Sequence, residues 1–247
     1  MDGLRLISDS FPDDPAFDTA VSRALLERVA AGALPETLRL ARPGRMVAFG
    51  KQDAVTAEYP AAVRAARDAG FEAVLRLAGG RAAVFHEGTV ELAHAIPDRD
   101  PRPGIHDRFE RSAELVTSAL RQVGVDARVG EVPGEYCPGG YSVNAGGRIK
   151  LAGLGQRLIR GSVHVGGVIV VQGGGLVREA LVPVYRELGL DWDPASAGAV
   201  ADEAPGATVE DVIEALRDAF SASSDQPLDE DTLARARRLA PEHRAPD

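Results

Sequence analysis

The residues best suited to covalent chemistry are Cys137 and Lys150, thirteen positions apart in the segment YCPGGYSVNAGGRIK. Cys137 is the only cysteine in the chain, which leaves no internal disulfide and no multi-thiolate metal site and reduces its uses to buried filler or reactive thiol. Lys150 is one of two lysines among 28 Lys and Arg residues. In a chain that otherwise uses arginine for positive charge, a retained amine points to work that needs a compact, tunable point charge. Pro133-Gly134 and Pro138-Gly139-Gly140 put the cysteine in a loop, where function concentrates. An ordinary thiol is only about 3% thiolate at pH 7, and a nearby cation raises that fraction. Lys150 or Arg148 is the expected cation. The plain alternatives are an inert core cysteine, a snorkelling strand lysine and, at Gly79-Gly80, a simple tight turn.

The elements that must position these groups are legible as apolar periodicity. Phe17, Val21, Leu25 and Val29 recur at helical spacing after Asp13, Asp14 and Pro15, and Gly32 closes that helix. Short apolar stretches at 37–41, 46–49, 71–77, 82–85 and 90–96 read as strands of one sheet, with a helix at 61–69. Phe109, Ala113, Val116, Leu120 and Val123 mark a second long helix ending at Gly124. Residues 141–144 and 148–152 flank Ala-Gly-Gly, and glycines supply the positive φ of a tight hairpin turn. That hairpin folds Lys150 back toward the loop of Cys137. Residues 163–172 form a further strand, and Gly173-Gly174-Gly175 leads into a helix at 176–188. Because no Lys-Ser or Lys-Thr follows, these glycines read as a turn and not as a phosphate cradle. His94 reads as a core or edge histidine. Thr208 and Asp211 form a capping box for a helix through Phe220, and another helix is expected at 230–239. The expected organisation is a catalytic domain over 1–188, then a linker at 189–206 and C-terminal helices packed on the same domain, with a frayed tail.

Composition narrows the function classes. The 247 residues, 45% of them hydrophobic, suffice for one large core. A net charge of −9 disfavours nucleic acid and anionic membrane surfaces as partners. Five histidines and one cysteine show no zinc-ligand spacing. The opening residues carry neither a basic nor an apolar leader, and no apolar run nears the roughly 18 residues of a membrane span. A cytoplasmic location is therefore expected, which suits a free thiol.

Two segments carry a resemblance. RLAGGRAAVFHEGTVELAHAIP (76–97) and EYCPGGYSVNAGGRIKLAGLGQRLIRG (135–161) are similar to the paired signatures of the biotin/lipoate protein ligase and octanoyltransferase superfamily. Arg76, Gly79, Gly80, His86 and Glu87 match the first pattern, and Lys150, Gly153 and Gln156 match the second. Arg81 stands where the ATP-using ligases carry a third glycine. The Tyr-Cys-Pro-Gly loop, the lysine and the Ala-Gly-x-x-Gln-Arg stretch resemble most closely the lipoyl amidotransferase branch, as does Gly-Lys-Gln-Asp at 50–53. The resemblance runs from about residue 20 to residue 220. It implies an α+β fold, the mixed β-sheet flanked by helices shared by class II aminoacyl-tRNA synthetases and biotin synthetases. It implies Cys137 as acyl carrier with Lys150 as its partner, and a substrate site at Arg76, Gly79, Gly80, Arg81, His86, Gly153 and Gln156. The thiolate would attack an octanoyl thioester, and an acceptor lysine would take the acyl group as an amide. The ammonium, or a backbone donor near Gly79-Gly80, would stabilise the oxyanion. No cofactor is then needed. ATP and magnesium belong only to the alternative, an ATP-dependent lipoate–protein ligase, and a non-catalytic acyl-binding module is the third reading. The implied partners are lipoyl-domain proteins, namely the glycine cleavage H protein and 2-oxoacid dehydrogenase acyltransferase subunits, or acyl carrier protein. A monomer is expected.

Overall fold

The computed structural model describes residues 4–222 and 225–246. Its strands are β1 (Arg5–Ile7), β2 (Thr37–Ala41), β3 (Met46–Phe49), β4 (Glu72–Leu75), β5 (Ala83–Phe85), β6 (Thr89–Asp98), β7 (Ala127–Val129), β8 (Val143–Ala145), β9 (Ile149–Ile159) and β10 (Gly161–Val170). Its helices are α1 (Pro15–Ala30), α2 (Lys51–Ala54), α3 (Tyr59–Asp68), α4 (Ile105–Gln122), α5 (Gly174–Glu187), α6 (Val200–Glu203), α7 (Val209–Ala219) and α8 (Glu230–Leu239). The helix starts follow local chemistry. Asp14 accepts the Phe17 N–H at 3.2 Å ahead of α1, and Thr208 with Asp211 caps α7 reciprocally. No helix among the described residues is long and apolar enough to cross a membrane.

The strands make two sheets, not the single sheet expected. Seven run in the order β1-β2-β6-β10-β9-β8-β7, with only β1 and β2 parallel, and three run β4-β3-β5 with β3 parallel to β4. The chain changes sheet between β5 and β6 at the His86–Gly88 turn, where the Gly88 N–H donates to His86 Nδ1 and the Gly88 carbonyl accepts from Val171. Alternation along a strand fixes which side chains point inward, and it does not reveal which edge a strand will join. β10 shows why two layers result. Val168 and Val170 face the small sheet, whereas Ile169 and Val171 face the opposite core under α4 and α7. On the small-sheet side, α1 also packs on β6 and β10, with α8 behind it, and α3 and α5 cover the small sheet.

A fully buried guanidinium joins α1 to the large sheet. Arg39 on β2 pairs with Asp18 and with Glu91 at 3.3 Å, and donates to Ser22 at 3.1 Å and to the Asp9 carbonyl at 2.9 Å. All the guanidinium's donors are filled. Burial together with the Asp18 charge pushes the Glu91 carboxyl pKa upward, so one cation is set against two carboxyl groups of which Glu91 is the more readily protonated.

Two further expectations are corrected. Residues 189–206 do not form a loose linker: Pro194–Ser196 make a 3-10 turn, and Ala197, Ala199 and Val200 are buried. Small side chains permit this, because Gly198 and Gly174 meet at backbone distance and Ala197 bridges to Lys150. Nor does the described end of the chain fray. His243 bonds the Leu75 carbonyl at 2.7 Å, Ala245 donates to the Ala73 carbonyl at 3.2 Å, and Arg244 pairs with Asp14 at 3.0 Å. The Ala245 bond and the antiparallel bridge between Val74 and Arg244 extend the free edge of β4.

His164 on β10 is buried with Nδ1 unpartnered, and desolvation pushes its pKa down to about 3. Because the folded-state value lies below the unfolded one, its stabilising contribution is complete above about pH 6.5 and is lost as pH falls toward 3. Between pH 7.5 and pH 5, the wild type should lose about 2 kcal/mol more stability than His164→Gln in urea unfolding. Equal losses in the two proteins would contradict this origin of the acid sensitivity.

Candidate active site

The hairpin of β8 and β9 pairs Asn144 with Lys150 and carries the lysine beneath the Cys137 loop. The Lys150 ammonium is buried. It donates to Glu135 Oε1 at 2.8 Å, to the Tyr136 carbonyl at 2.9 Å and to the Cys137 carbonyl at 2.8 Å. Three donors thus meet three acceptors, and the amine also lies 4.9 Å from the Tyr136 ring centroid. Glu135 is as fully engaged, accepting from Ser142 Oγ at 2.5 Å, Gly139 N at 3.2 Å and Val132 N at 2.9 Å. Residues 132–142 thus wind around one buried ion pair.

Cys137 sits at φ +43°, a left-handed backbone that costs a non-glycine residue on the order of 1 kcal/mol and persists only where its surroundings enforce it. Lys150 holds its carbonyl. Its N–H donates to Tyr185 Oη at 2.9 Å, and that hydroxyl donates to the Ala82 carbonyl at 3.0 Å. Burial raises the Tyr185 pKa well above its ordinary value, so the hydroxyl keeps the proton this bridge needs. The sulfur accepts from the Arg81 main-chain N–H at 3.2 Å and lies 3.6 Å from Arg76 Nη2. Gly80, at φ +106°, leaves this approach open: a Cβ there would lie 2.8 Å from the sulfur and collide with the Arg76 guanidinium.

The thiol opens on a cavity of about 460 Å³ lined by Phe85, Ile105, Phe109, Leu154, Leu158 and Val168, with Arg76, Gly79, Gly80, Gly153 and Gln156 among its walls. Tyr141 stacks on Phe109 with centroids 5.1 Å apart. Gln156 donates to the Ile105 carbonyl at 2.7 Å and accepts from Arg108 at 3.1 Å, fixing the start of α4 against β9. Gly155 lets β9 approach the glycine turn, since a Cβ there would lie 3.0 Å from the Gly79 carbonyl oxygen. The site is a largely apolar cavity with the one thiol of the chain at its wall.

The structure gathers Cys137, Lys150, Arg76, Gly79, Gly80, Gly153 and Gln156 around this cavity and brings Arg81 to the sulfur through its backbone. Neither cation expected to face the thiol does so. Lys150 gives its hydrogens to three oxygens, and Arg148 is exposed and paired with Glu203 at 2.9 Å, which leaves Arg76 as the neighbour. His86 is not part of the cavity. It is buried under Gly173, and desolvation lowers its pKa, so it serves the turn between the sheets as a neutral acceptor. The Arg81 side chain points away to the buried Asp53 at 3.1 Å, and Asp53 also accepts the Gly50 N–H at 3.1 Å. That pair joins the Gly-Lys-Gln-Asp turn to the glycine turn. Glu135, Asp53 and Tyr185 were missed as site residues. Glu135 had a signal in its place beside the sole cysteine and near the rare lysine, whereas Tyr185, 48 residues downstream, had none.

Comparison with known proteins gives a consistent result. A family model described as the lipoyl protein ligase A/B catalytic domain matches residues 14–221. The chain is 31% identical over 179 residues to an octanoyl-[GcvH]:protein N-octanoyltransferase from Geobacillus kaustophilus, covering 71% of this chain and 63% of that protein. It is 27% identical over 178 residues to a lipoyl-[GcvH]:protein N-lipoyltransferase from Listeria monocytogenes, covering 70% of this chain and 64% of the other. The matched stretch thus spans somewhat less than two thirds of these relatives' length. Among solved structures, lipoate-protein ligase A bound with ATP superposes with a TM-score of 0.76 at 19% identity, covering 97% of this chain and 95% of that one. A putative lipoate protein ligase from T. acidophilum with bound lipoic acid gives 0.75 at 19% identity, covering 96% and 94%. These likenesses establish the fold as that of the lipoate ligases.

The Glu135–Lys150 pair yields a prediction about stability. Lys150→Met strands a buried carboxylate and should cost about 3–5 kcal/mol. Adding Glu135→Gln should cost far less than its own single effect, a strong non-additivity measurable by urea unfolding. Lys150→Arg should also destabilise, because a planar fork does not fit three oxygens arranged around a point charge. Additive losses would show that the two residues act separately.

Proposed function

Since this chain belongs to the lipoyl protein ligase A/B catalytic domain family, we propose that it transfers an octanoyl or lipoyl group to the lysine of a lipoyl-domain protein through a thioester on Cys137. The observation that carries this reading is the sole thiol, held in a left-handed backbone at the wall of an apolar cavity with a main-chain N–H and a guanidinium directed at its sulfur.

The chemistry balances without a nucleotide. The sulfur attacks the donor's acyl carbonyl, the S–C bond forms, and the bond to the donor's leaving atom breaks, with the thiol proton departing on that atom. The acceptor lysine then attacks the thioester, the C–N bond forms, and the released sulfur regains a proton. Phe85, Phe109, Leu154 and Leu158 shelter the acyl chain, and its carbonyl end stays beside Cys137. The curated relatives are named for acyl groups carried on the glycine cleavage H protein, which favours that protein as donor; the acyltransferase subunits of 2-oxoacid dehydrogenases are the acceptors this reading proposes. Acyl carrier protein would be an alternative donor. The occupied ammonium of Lys150 also favours transfer over the ligase reading, in which that amine would face an acyl-adenylate.

The test is transfer from octanoylated H protein to an apo lipoyl domain with ATP omitted. Wild-type protein should be active, and both Cys137→Ala and Cys137→Gly should lose about 10³-fold or more in rate. The glycine variant accepts the positive φ of this position and so separates loss of the sulfur from strain in the loop. Transfer that survives in Cys137→Gly, or that requires ATP and free lipoate, would overturn the proposal.

A further inference from the structure

We propose that Arg76 is a catalytic residue, its guanidinium supplying, together with the Arg81 main-chain N–H, the positive field that faces the sulfur of Cys137 and then the oxyanion formed from the acyl carbonyl. This inference rests on the transfer reading and assigns the role first expected of Lys150.

The charge balance around the cavity singles out Arg76. Its lining includes two cationic side chains, Lys150 and Arg76. Lys150 is neutralised by Glu135, whereas Arg76 has no carboxylate partner among the described residues, and its Nε is buried without any acceptor. A partly buried cation left unpaired costs free energy that a neighbouring anion would offset. The reactive atom beside it is the one that becomes anionic. Nη2 also donates to the Gly79 carbonyl, which steers the fork toward the sulfur 3.6 Å away. An ammonium could not reproduce that planar two-way contact. Gly80 keeps the line between guanidinium and sulfur clear, which gives the second glycine of the motif a role beyond the turn.

During attack the S–C bond forms as the carbonyl π electrons move to oxygen, and the Arg81 N–H and Arg76 fork, the donors already beside the sulfur, take up the new negative charge. Collapse of the intermediate expels the donor's leaving atom with its proton. The second half-reaction runs the same path with the acceptor lysine. Donors fixed before reaction stabilise such an oxyanion without reorganising, and a single one is worth about 10²–10³ in rate.

Because Cys137 is the only cysteine, iodoacetamide reports on its sulfur alone. At pH 7, Arg76→Ala should slow alkylation by about tenfold and lower the kcat of transfer by about 10²–10³, with little change in KM. Guanidinium chloride at low millimolar concentration should restore part of both rates in Arg76→Ala and neither in wild type. Arg76→Lys should exceed Arg76→Gln in activity. If Arg76→Ala is poorly folded, Arg76→Gln, which keeps a donor for the Gly79 carbonyl, decides the matter by the same two rates. Wild-type alkylation and transfer in a folded Arg76→Ala or Arg76→Gln protein would overturn the assignment, as would loss in Arg76→Ala without guanidinium rescue and with Arg76→Lys no better than Arg76→Gln. The two readings fail separately. Transfer by Cys137→Gly would remove the transfer reading, whereas an inactive Cys137→Gly beside fully active Arg76 variants would remove this one alone.

Discussion

The site depends on a buried ion pair. Burying Lys150 and Glu135 carries a desolvation cost of several kcal/mol per ion, which their attraction offsets only with good geometry and with every remaining donor and acceptor filled. Here they are filled from within the loop itself: the ammonium takes the carbonyls of Tyr136 and Cys137, and the carboxylate takes Ser142, Gly139 and Val132. A segment rich in proline and glycine has little intrinsic preference for one path. Wrapping it around a paired charge gives it a single one. The retained amine is thereby explained, since a compact ion with three hydrogens fits a cage of three oxygens and a guanidinium does not.

From this centre the remaining contacts follow as constraints on one sulfur atom. The two sheets meet where β9 and β10 approach the end of β5: Gly155 lets β9 close on the Gly79 carbonyl, Gly80 leaves room for the Arg76 guanidinium and the sulfur, and Gly153 leaves room for the Lys150 side chain. Tyr185 bridges the cysteine loop and the strand after the glycine turn with one hydroxyl, and Asp53 anchors Arg81 from the other side. The strain of a left-handed cysteine is sustained by these ties, and its consequence is a sulfur aimed at two fixed donors. In the proposed reaction, the apolar cavity presents the carbonyl end of the acyl chain to that sulfur.

Much of this was legible in the sequence, and the limits have physical causes. The Cys137 loop, the hairpin that returns Lys150 to it and the glycine turn are local features, written in residues close together along the chain. The mixed-sheet fold came through the resemblance carried by the same segments. What escaped depends on tertiary placement. Strand alternation could not show that β3, β4 and β5 form their own sheet. Proximity along the chain suggested Lys150 or Arg148 as the thiol's cation, whereas folding delivers Arg76 from 61 residues upstream. Residues 189–206 looked like a linker because alanine and glycine are common in linkers, yet those small residues are what allow Ala197 and Gly198 to lie against Lys150 and Ile149. His86, matched by motif, belongs to the turn between the sheets.

The central claim is that Cys137 carries the acyl group between two proteins. Intact-protein mass spectrometry after mixing the protein with octanoylated H protein, with no ATP present, tests it most directly. The account predicts one octanoyl adduct, labile to hydroxylamine as a thioester is and mapping by peptide analysis to Cys137. An adduct on another residue, or no adduct under conditions in which transfer to a lipoyl domain proceeds, would contradict it.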